Sequence, residues 1–152
     1  MSNVQSLSTD NRAPFRWEIA LWSAQILLAL LFGAAGVMKT FLAPEALVPM
    51  GLTYATEIPY WLLRFIGVCE LAGAVGVILP ALTRIMPIYT SLAALGFVMI
   101  QVLAIGFHIM RGEFAEMAAM NLSLLALSAF VLWGREAKAP IKPRRFAAPT
   151  AA

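Results

Sequence analysis

Six polar or charged residues interrupt long apolar stretches of this chain, and their side chains are the ones best placed to support chemistry. They are Lys39, Arg64, Glu70, Gln101, His108 and Asn121. Glu70 is the most informative, because it lies about ten residues into a stretch that contains only one other charge. If that stretch crosses a bilayer, the carboxylate lies near the midplane, where a charge costs roughly 2.5–3.5 kcal/mol. We therefore expect Glu70 to face the interior of a helix bundle and to have a polar partner.

Small residues surround Glu70. Gly67, Gly73 and Ala74 are three or four residues away, so on a helix they share its face and let a neighbouring helix approach closely. One interpretation is an outward-facing polar pocket lined by all six residues. The alternative is that the six groups bond to one another and hold the bundle together. Interhelical hydrogen bonds average only ~0.6 kcal/mol, which is a weak reason to bury a carboxylate.

Other familiar kinds of site find little support in the sequence. Cys69 is the single cysteine, so neither an intramolecular disulfide nor dithiol chemistry is available within one chain. His108 is the only histidine, which excludes a haem held by two histidines of the same chain. The sequence has no glycine-rich phosphate loop and no metal-ligand motif. We predict no intrinsic cofactor and no metal site.

The composition explains why these polar residues are unusual. Hydrophobic residues make up 61% of the 152 residues and charged residues 12%, about half the ~25% share of soluble domains. The run from Ile19 to Met38 contains 20 residues without a charge, enough to span ~30 Å as a helix. Similar runs follow, and the predicted spans are about 17–38, 61–82, 85–110 and 115–134.

The lengths of the links predict how the spans pack. The turns at Pro80–Pro87 and Arg111–Glu116 are short, which makes consecutive helices antiparallel neighbours. The link from Lys39 to Tyr60 is longer and half apolar, so we expect it to lie in the membrane interface, with a short helix beginning at Pro44. The predicted fold is an all-α transmembrane four-helix bundle with short hairpin links and a half-apolar first outer loop.

The charges predict an orientation. Four spans place both termini and the second turn on one side, and that side carries Arg12, Arg16, Arg84, Arg135, Lys138, Lys142, Arg144 and Arg145. Since positive residues stay cytoplasmic, we predict a disordered cytoplasmic tail at 1–16, a membrane domain at 17–134 and a basic cytoplasmic tail at 135–152. The basic tail is a topology signal or binds anionic membrane lipids at ~1 kcal/mol per charge. No aromatic–basic motif accompanies it, so nucleic acid is not an expected partner.

Two glycine-containing motifs give the sequence a family resemblance, and they are Gly33-x-x-Gly36-x-x-Lys39 and Arg64-x-x-Gly67-x-x-Glu70-Leu71-Ala72-Gly73-Ala74-x-Gly76 followed by Pro80. With Arg84 and Asn121, they resemble the DoxX-like membrane proteins over roughly Trp17 to Arg135. The resemblance implies a four-helix bundle in the bacterial inner membrane, with Lys39, Arg64 and Glu70 as family-type polar residues. The family takes its name from a small membrane subunit linked to quinone-dependent sulfur oxidation.

Three functions are compatible with these features. The first is a non-catalytic membrane subunit that holds a lipophile, such as a quinone or a lipid, or that anchors a redox-protein partner. The second is a small proton-linked transporter in which Glu70 titrates, which for four helices implies a homo-oligomer. The third is an enzyme acting on a membrane-soluble substrate, with Glu70 as acid or base and Lys39 or Arg64 holding an anion.

Overall fold

The computed structural model describes residues 15–144, and all of its regular structure is helical. The helices are α1 (Phe15–Phe41), α2 (Pro44–Leu47), α3 (Tyr60–Thr83), α4 (Ile88–Arg111) and α5 (Phe114–Trp133), with short 3-10 turns at Val48–Met50 and Thr53–Thr56 and a π-helical turn at Gly134–Lys138. Within the described range, four helices are long and apolar enough to cross a membrane: α1, α3, α4, and α5 with its π-helical continuation. The all-α four-helix prediction is therefore confirmed.

The four long helices form a ring in which α1 packs on α3, α3 on α4, α4 on α5 and α5 on α1. This ring has two ends. We call the end that holds residues 42–59 and the α4–α5 turn the loop end. The opposite end, which holds the start of α1, the α3–α4 turn and residues 134–144, is the terminal end. Helix α2 begins at Pro44, as the sequence predicted.

The outer surface of the ring is apolar. Large side chains remain exposed along all four spans, among them Leu30, Val68, Leu79, Leu92, Met99 and Leu122. Soluble monomers rarely expose contiguous apolar patches larger than a few hundred Å². A bilayer supplies the covering that such a surface needs, so the exposed pattern agrees with the four apolar spans.

The apolar core fills the half of the bundle nearer the terminal end. Leu28, Val77 and Val131 are fully buried there beside the stacked rings of Phe32 and Phe97. The two ring centroids are 3.8 Å apart and the planes differ by 7°. Gly73 makes room for this stack, because a Cβ at that position would lie 2.5 Å from the Phe97 ring. The close packing of this aromatic stack therefore depends on the absence of a side chain at Gly73.

Helices α1 and α3 also approach closely through glycine. A Cβ at Gly36 would lie 2.9 Å from the carbonyl oxygen of Gly67. A Cβ at Gly67 would lie 2.6 Å from Thr40 Oγ1 and 2.9 Å from Lys39 Cβ. The close helix contact expected from these small residues is thus present, and it brings the end of α1 against the middle of α3.

The predicted and observed helix limits differ most at the end of α1 and at the start of α4, by three residues in each case. The prediction ended the first span at about residue 38 and the second at about residue 82, and it began the third at residue 85. In the structure α1 continues to Phe41, α3 ends at Thr83 and α4 begins at Ile88. The later start follows from the backbone, because Arg84 and Met86 have positive φ angles of 60° and 47°. Pro80 lies inside α3, and three residues before it the Val77 carbonyl accepts a hydrogen bond from Gln25 Nε2 of α1 at 2.5 Å.

The structure describes only part of each predicted tail. Helix α1 starts at Phe15, two residues before its predicted start, and the rest of the 1–16 tail lies outside the described residues. Residue 135, where the basic tail is predicted to begin, lies in the π-helical turn, and the Arg135 side chain is buried. Residues 145–152 lie outside the described range.

Candidate functional site

A cavity of about 480 Å³ lies in the half of the bundle nearer the loop end. Side chains from all four spans line it, together with Tyr54 and Ile58 from the first loop. Five of the six polar residues singled out in the sequence are in this lining: Lys39, Glu70, Gln101, His108 and Asn121. Arg64 is not among the lining residues.

Two of the lining residues form an ion pair between two spans. Lys39 Nζ donates to Glu70 Oε1 at 2.5 Å, and the two side chains are only 8% and 4% exposed. The pair forms because the close approach at Gly36 and Gly67 brings α1 to α3 at this level. Glu70 Oε2 has no hydrogen-bond partner within residues 15–144. The partner that we expected for Glu70 is therefore Lys39, and it satisfies one carboxylate oxygen.

Arg64 has a different position from the one the pocket hypothesis assigned to it. Its Nη1 donates to the Lys39 carbonyl at 2.6 Å, and its Nη2 donates to the Tyr60 hydroxyl at 2.6 Å. The Lys39 carbonyl belongs to the last turn of α1, where helix carbonyls lack intrahelical partners and cations are favourable. Arg64 therefore caps α1 and holds the backbone of Lys39, and it is a positioning residue for the ion pair.

Gln101, His108 and Asn121 complete the polar lining from α4 and α5. All three side chains are more than 90% buried. His108 Nδ1 lies 3.6 Å from Glu113 Oε2, beyond hydrogen-bond distance, and neither this nitrogen nor Asn121 Nδ2 has a hydrogen-bond partner in the described part of the chain. Residues 15–144 contain no group of three His, Cys, Asp or Glu side chains that could hold a metal ion.

Tyr54 also belongs to the cavity, although no motif in the sequence singled it out. Its ring centroid lies 5.7 Å from that of Phe107 and 5.9 Å from that of His108. Burial raises the pKa of the Tyr54 phenol, while the Lys39 ammonium acts in the opposite direction. The phenol is therefore neutral at physiological pH and keeps its O–H donor. No periodic pattern in the loop could have revealed this placement.

An ionic cluster at the surface fixes the loop over the cavity. Arg111, at the end of α4, bonds both oxygens of Glu57 in the first loop, and it bonds Glu113 at 2.8 and 2.9 Å. Hydrogen bonds from Arg111 hold the pKa values of the Glu57 and Glu113 carboxyls below their usual range. The loop segment 53–58, which leads into α3, is thereby held against the end of α4. Sequence reasoning missed this cluster, because 54 residues separate Glu57 from Arg111.

The remaining walls of the cavity are apolar and reach the outside of the bundle. Leu31 on α1, Phe65 on α3 and Leu103 on α4 line the cavity, yet they are 38%, 60% and 71% exposed. These side chains face the region that lipid tails occupy around a membrane bundle. The cavity is thus covered by the loop at its aqueous end and reaches the lipid-facing surface at its side.

Four apolar spans around a buried ion pair define this chain as a multi-pass α-helical membrane protein. The model of the DoxX-like family matches residues 23–131, which is well over half of the chain, so the protein belongs to the DoxX-like family. The resemblance drawn from the glycine motifs is thereby confirmed. No curated protein and no solved structure matched the chain.

Proposed function

We propose that this protein is a non-catalytic accessory of a membrane redox system that binds a quinone-type lipophile in the cavity beside Glu70. The observation that carries the proposal is the combination of a buried polar end, formed by Lys39 and Glu70, with apolar walls that reach the lipid-facing surface. An amphiphile with a polar ring and an apolar chain matches both parts of such a cavity.

The size and the donors of the cavity support this class of ligand. Its volume of about 480 Å³ falls within the ~300–1,000 Å³ typical of small-molecule sites. A quinone carbonyl accepts hydrogen bonds, and the lining offers donors in the Lys39 ammonium, the Tyr54 phenol and the Asn121 amide. Of these donors, Asn121 Nδ2 has no hydrogen-bond partner among residues 15–144. A buried donor without a partner costs about 1–3 kcal/mol, so a ligand that accepts a hydrogen bond from this amide removes that cost.

The apolar half of the bundle favours binding over transport. Phe32 lines the cavity and stacks directly on Phe97, and Leu28 and Val77 are fully buried beyond them. A proton-linked transporter needs a polar route from Glu70 to the terminal end, and this packed apolar layer lies in its way. This packed layer is compatible with a binding site that opens to the bilayer at the side of the bundle and is closed toward the terminal end.

We also propose that the protein lies in the bacterial inner membrane with both termini in the cytoplasm, and the distribution of charge supports this orientation. Among the described residues, the terminal end carries Arg16, Arg84, Arg135, Lys138, Lys142 and Arg144. At the loop end, Lys39 and Arg111 are paired with carboxylates. Because positive residues near the spans stay cytoplasmic, this asymmetry favours a cytoplasmic terminal end.

The test is to purify the protein from bacterial membranes in mild detergent and to identify co-purifying lipophiles by mass spectrometry. Ala104→Phe places a ring in the cavity, whereas Ala72→Phe adds the same ring to an exposed position on α3 and is the matched control. We expect wild type and the control to retain a quinone. We expect Ala104→Phe to lose it by roughly tenfold or more, a change of about 1.4 kcal/mol.

The accessory role has a separate readout in quinone-linked respiration by membranes of the host. We expect membranes that carry Ala104→Phe to resemble membranes without the protein, and membranes that carry Ala72→Phe to resemble wild type. Absence of any quinone in the wild-type extract, or equal retention in the two variants, would contradict the binding proposal. Normal respiration in the strain that lacks the protein would contradict the accessory role.

A further inference from the structure

The terminal end gathers basic residues that are far apart in the sequence. The segment after the π-helical turn folds back along the α3–α4 turn, where the Arg144 amide donates to the Arg84 carbonyl at 2.9 Å and Arg84 Nε donates to the Lys142 carbonyl at 3.1 Å. Arg84, Lys142 and Arg144 are exposed. These backbone contacts hold the three cations together at one place on the surface.

A buried guanidinium lies beside these exposed cations. Arg135 is 3% exposed, and it donates to Gln25 Oε1 at 2.7 Å and to Glu18 Oε2 at 2.9 Å. Its Nη2 has no hydrogen-bond partner in the described range. Arg135 also lines a second, smaller cavity of about 210 Å³, together with Ser91 in the first turn of α4 and Glu136.

Two tryptophans indicate the depth of this surface in the membrane. The Arg135 guanidinium lies 5.5 Å from the centre of the Trp22 ring, and Lys138 Nζ lies 5.1 Å from the centre of the Trp133 ring. Tryptophan is enriched at the level of the lipid headgroups. The cations beside these rings therefore lie at the level of the lipid phosphates.

The charge at this end is unbalanced. The group formed by Arg84, Arg135, Lys138, Lys142 and Arg144, which we call the basic surface, faces only Glu18 and Glu136 among the described acidic residues of the terminal end. Glu18 is already paired with Arg135. At the loop end, by contrast, Arg111 contacts two carboxylates. An excess of positive charge at headgroup depth attracts anions.

We propose that the basic surface binds the phosphate headgroups of anionic phospholipids, with the cavity beside Arg135 as the position of one phosphate. Arg135, whose Nη2 lacks a partner in the described range, and Ser91 both line this cavity and carry hydrogen-bond donors, and phosphate oxygens are strong acceptors. The exposed cations around it add attraction to further headgroups of the same leaflet. This inference does not depend on the ligand of the larger cavity.

Tryptophan fluorescence gives a direct measurement, because Trp17, Trp22 and Trp133 all lie at the terminal end. Trp61 lies at the loop end, and Trp61→Phe removes its signal. The protein in this background is reconstituted into bilayers that contain brominated phosphatidylglycerol or brominated phosphatidylcholine at equal mole fraction. Bromine quenches tryptophan at short range, so stronger quenching by phosphatidylglycerol reports selective binding of the anionic lipid.

Three variants test the direction in which the selectivity for phosphatidylglycerol changes. Lys142→Gln removes one ammonium from the basic surface, and we expect the selectivity for phosphatidylglycerol to fall by about fivefold, which corresponds to ~1 kcal/mol per charge. Glu136→Gln removes a carboxylate from the rim of the smaller cavity, and we expect the selectivity to rise. Arg111→Gln removes a cation from the opposite end and is the matched control, with unchanged selectivity.

The outcomes separate a lipid site from a site for free phosphate. Equal quenching by the two lipids overturns the proposal. An unchanged selectivity in the double variant that carries both Lys138→Gln and Lys142→Gln also overturns it. The hydrogen bond that Lys142 makes to Arg84 uses its backbone carbonyl and not its ammonium. Lys142→Gln therefore leaves this contact in place and reports lipid binding. If inorganic phosphate abolishes the preference for phosphatidylglycerol and sodium chloride at equal ionic strength does not, the site binds free phosphate in preference to the lipid headgroup, and the lipid proposal fails. A preference that persists in the presence of inorganic phosphate supports the lipid.

Discussion

The two halves of the bundle use their interior differently. In the half nearer the terminal end, Phe32 and Phe97 stack at 3.8 Å, and polar groups such as Gln25 and Ser128 are bonded to backbone carbonyls. In the half nearer the loop end, the interior is a cavity whose lining includes Glu70 and Asn121, each with an unpartnered atom among residues 15–144. The difference indicates that one half supplies most of the stability and the other half supplies the space for a ligand.

The largest expected effect comes from Phe97→Ala in the packed half. Truncating a buried phenylalanine typically costs about 3–5 kcal/mol, because the surrounding structure closes the cavity only in part. Leu103→Ala, on the same helix but 71% exposed at the rim of the cavity, should change the free energy of unfolding by no more than about 0.5 kcal/mol. Denaturation in mixed micelles measures both values. A similar loss of unfolding free energy in the two variants would show that the packed half does not contribute more stability than the half that holds the cavity.

The ion pair beside the cavity should give the next largest effect. Lys39→Met leaves Glu70 buried without its cation, and removing one partner of a buried pair costs about 3 kcal/mol or more. The double variant, with Glu70→Leu added, removes both charges and should be more stable than Lys39→Met alone. A double-mutant cycle on the free energy of unfolding measures this coupling. Additive costs would mean that the two groups do not stabilise each other.

The surface cluster around Arg111 should give the smallest effect, and it should depend on pH. The pKa values of Glu57 and Glu113 are lowered by hydrogen bonds from Arg111, so their contribution to stability is complete above the ordinary carboxyl pKa. It is lost as the pH falls through the lowered values.

Thermal melting of wild type and Arg111→Gln at a series of pH values tests this dependence. Wild type should melt at the higher temperature by a constant margin between pH 7 and about pH 5. The margin should narrow below about pH 4, where the carboxylates become protonated. A margin that is unchanged down to the most acidic pH, or absent at pH 7, would contradict the assignment.

The spans, and the presence of a polar partner for Glu70, could be predicted from the sequence because they depend on local patterns. Four apolar runs of sufficient length lead directly to the four long helices. The small residues around Glu70 predict that a neighbouring helix approaches closely, and α1 does so at Gly67. A carboxylate inside an apolar run also requires a buried partner, and Glu70 has one in Lys39.

The remaining features depend on how segments from distant parts of the sequence meet. Arg64 was expected in the pocket, but it caps α1, because its position around α3 directs it to the carbonyl of Lys39. Tyr54 lies in a loop without periodicity, so its place above His108 could not be inferred. The buried position of Arg135 was also missed, because a basic residue after the last span is ordinarily part of a solvated tail.

The lateral reach of the cavity, at Leu31, Phe65 and Leu103, has a consequence for how any affinity should be expressed. A hydrophobic molecule partitions into the bilayer before it meets the protein, so its concentration in the hydrocarbon phase far exceeds its concentration in water. The occupancy of the cavity then follows the mole fraction of the molecule in the bilayer, and even a modest intrinsic affinity suffices for saturation. Exchange would proceed by two-dimensional diffusion within the leaflet.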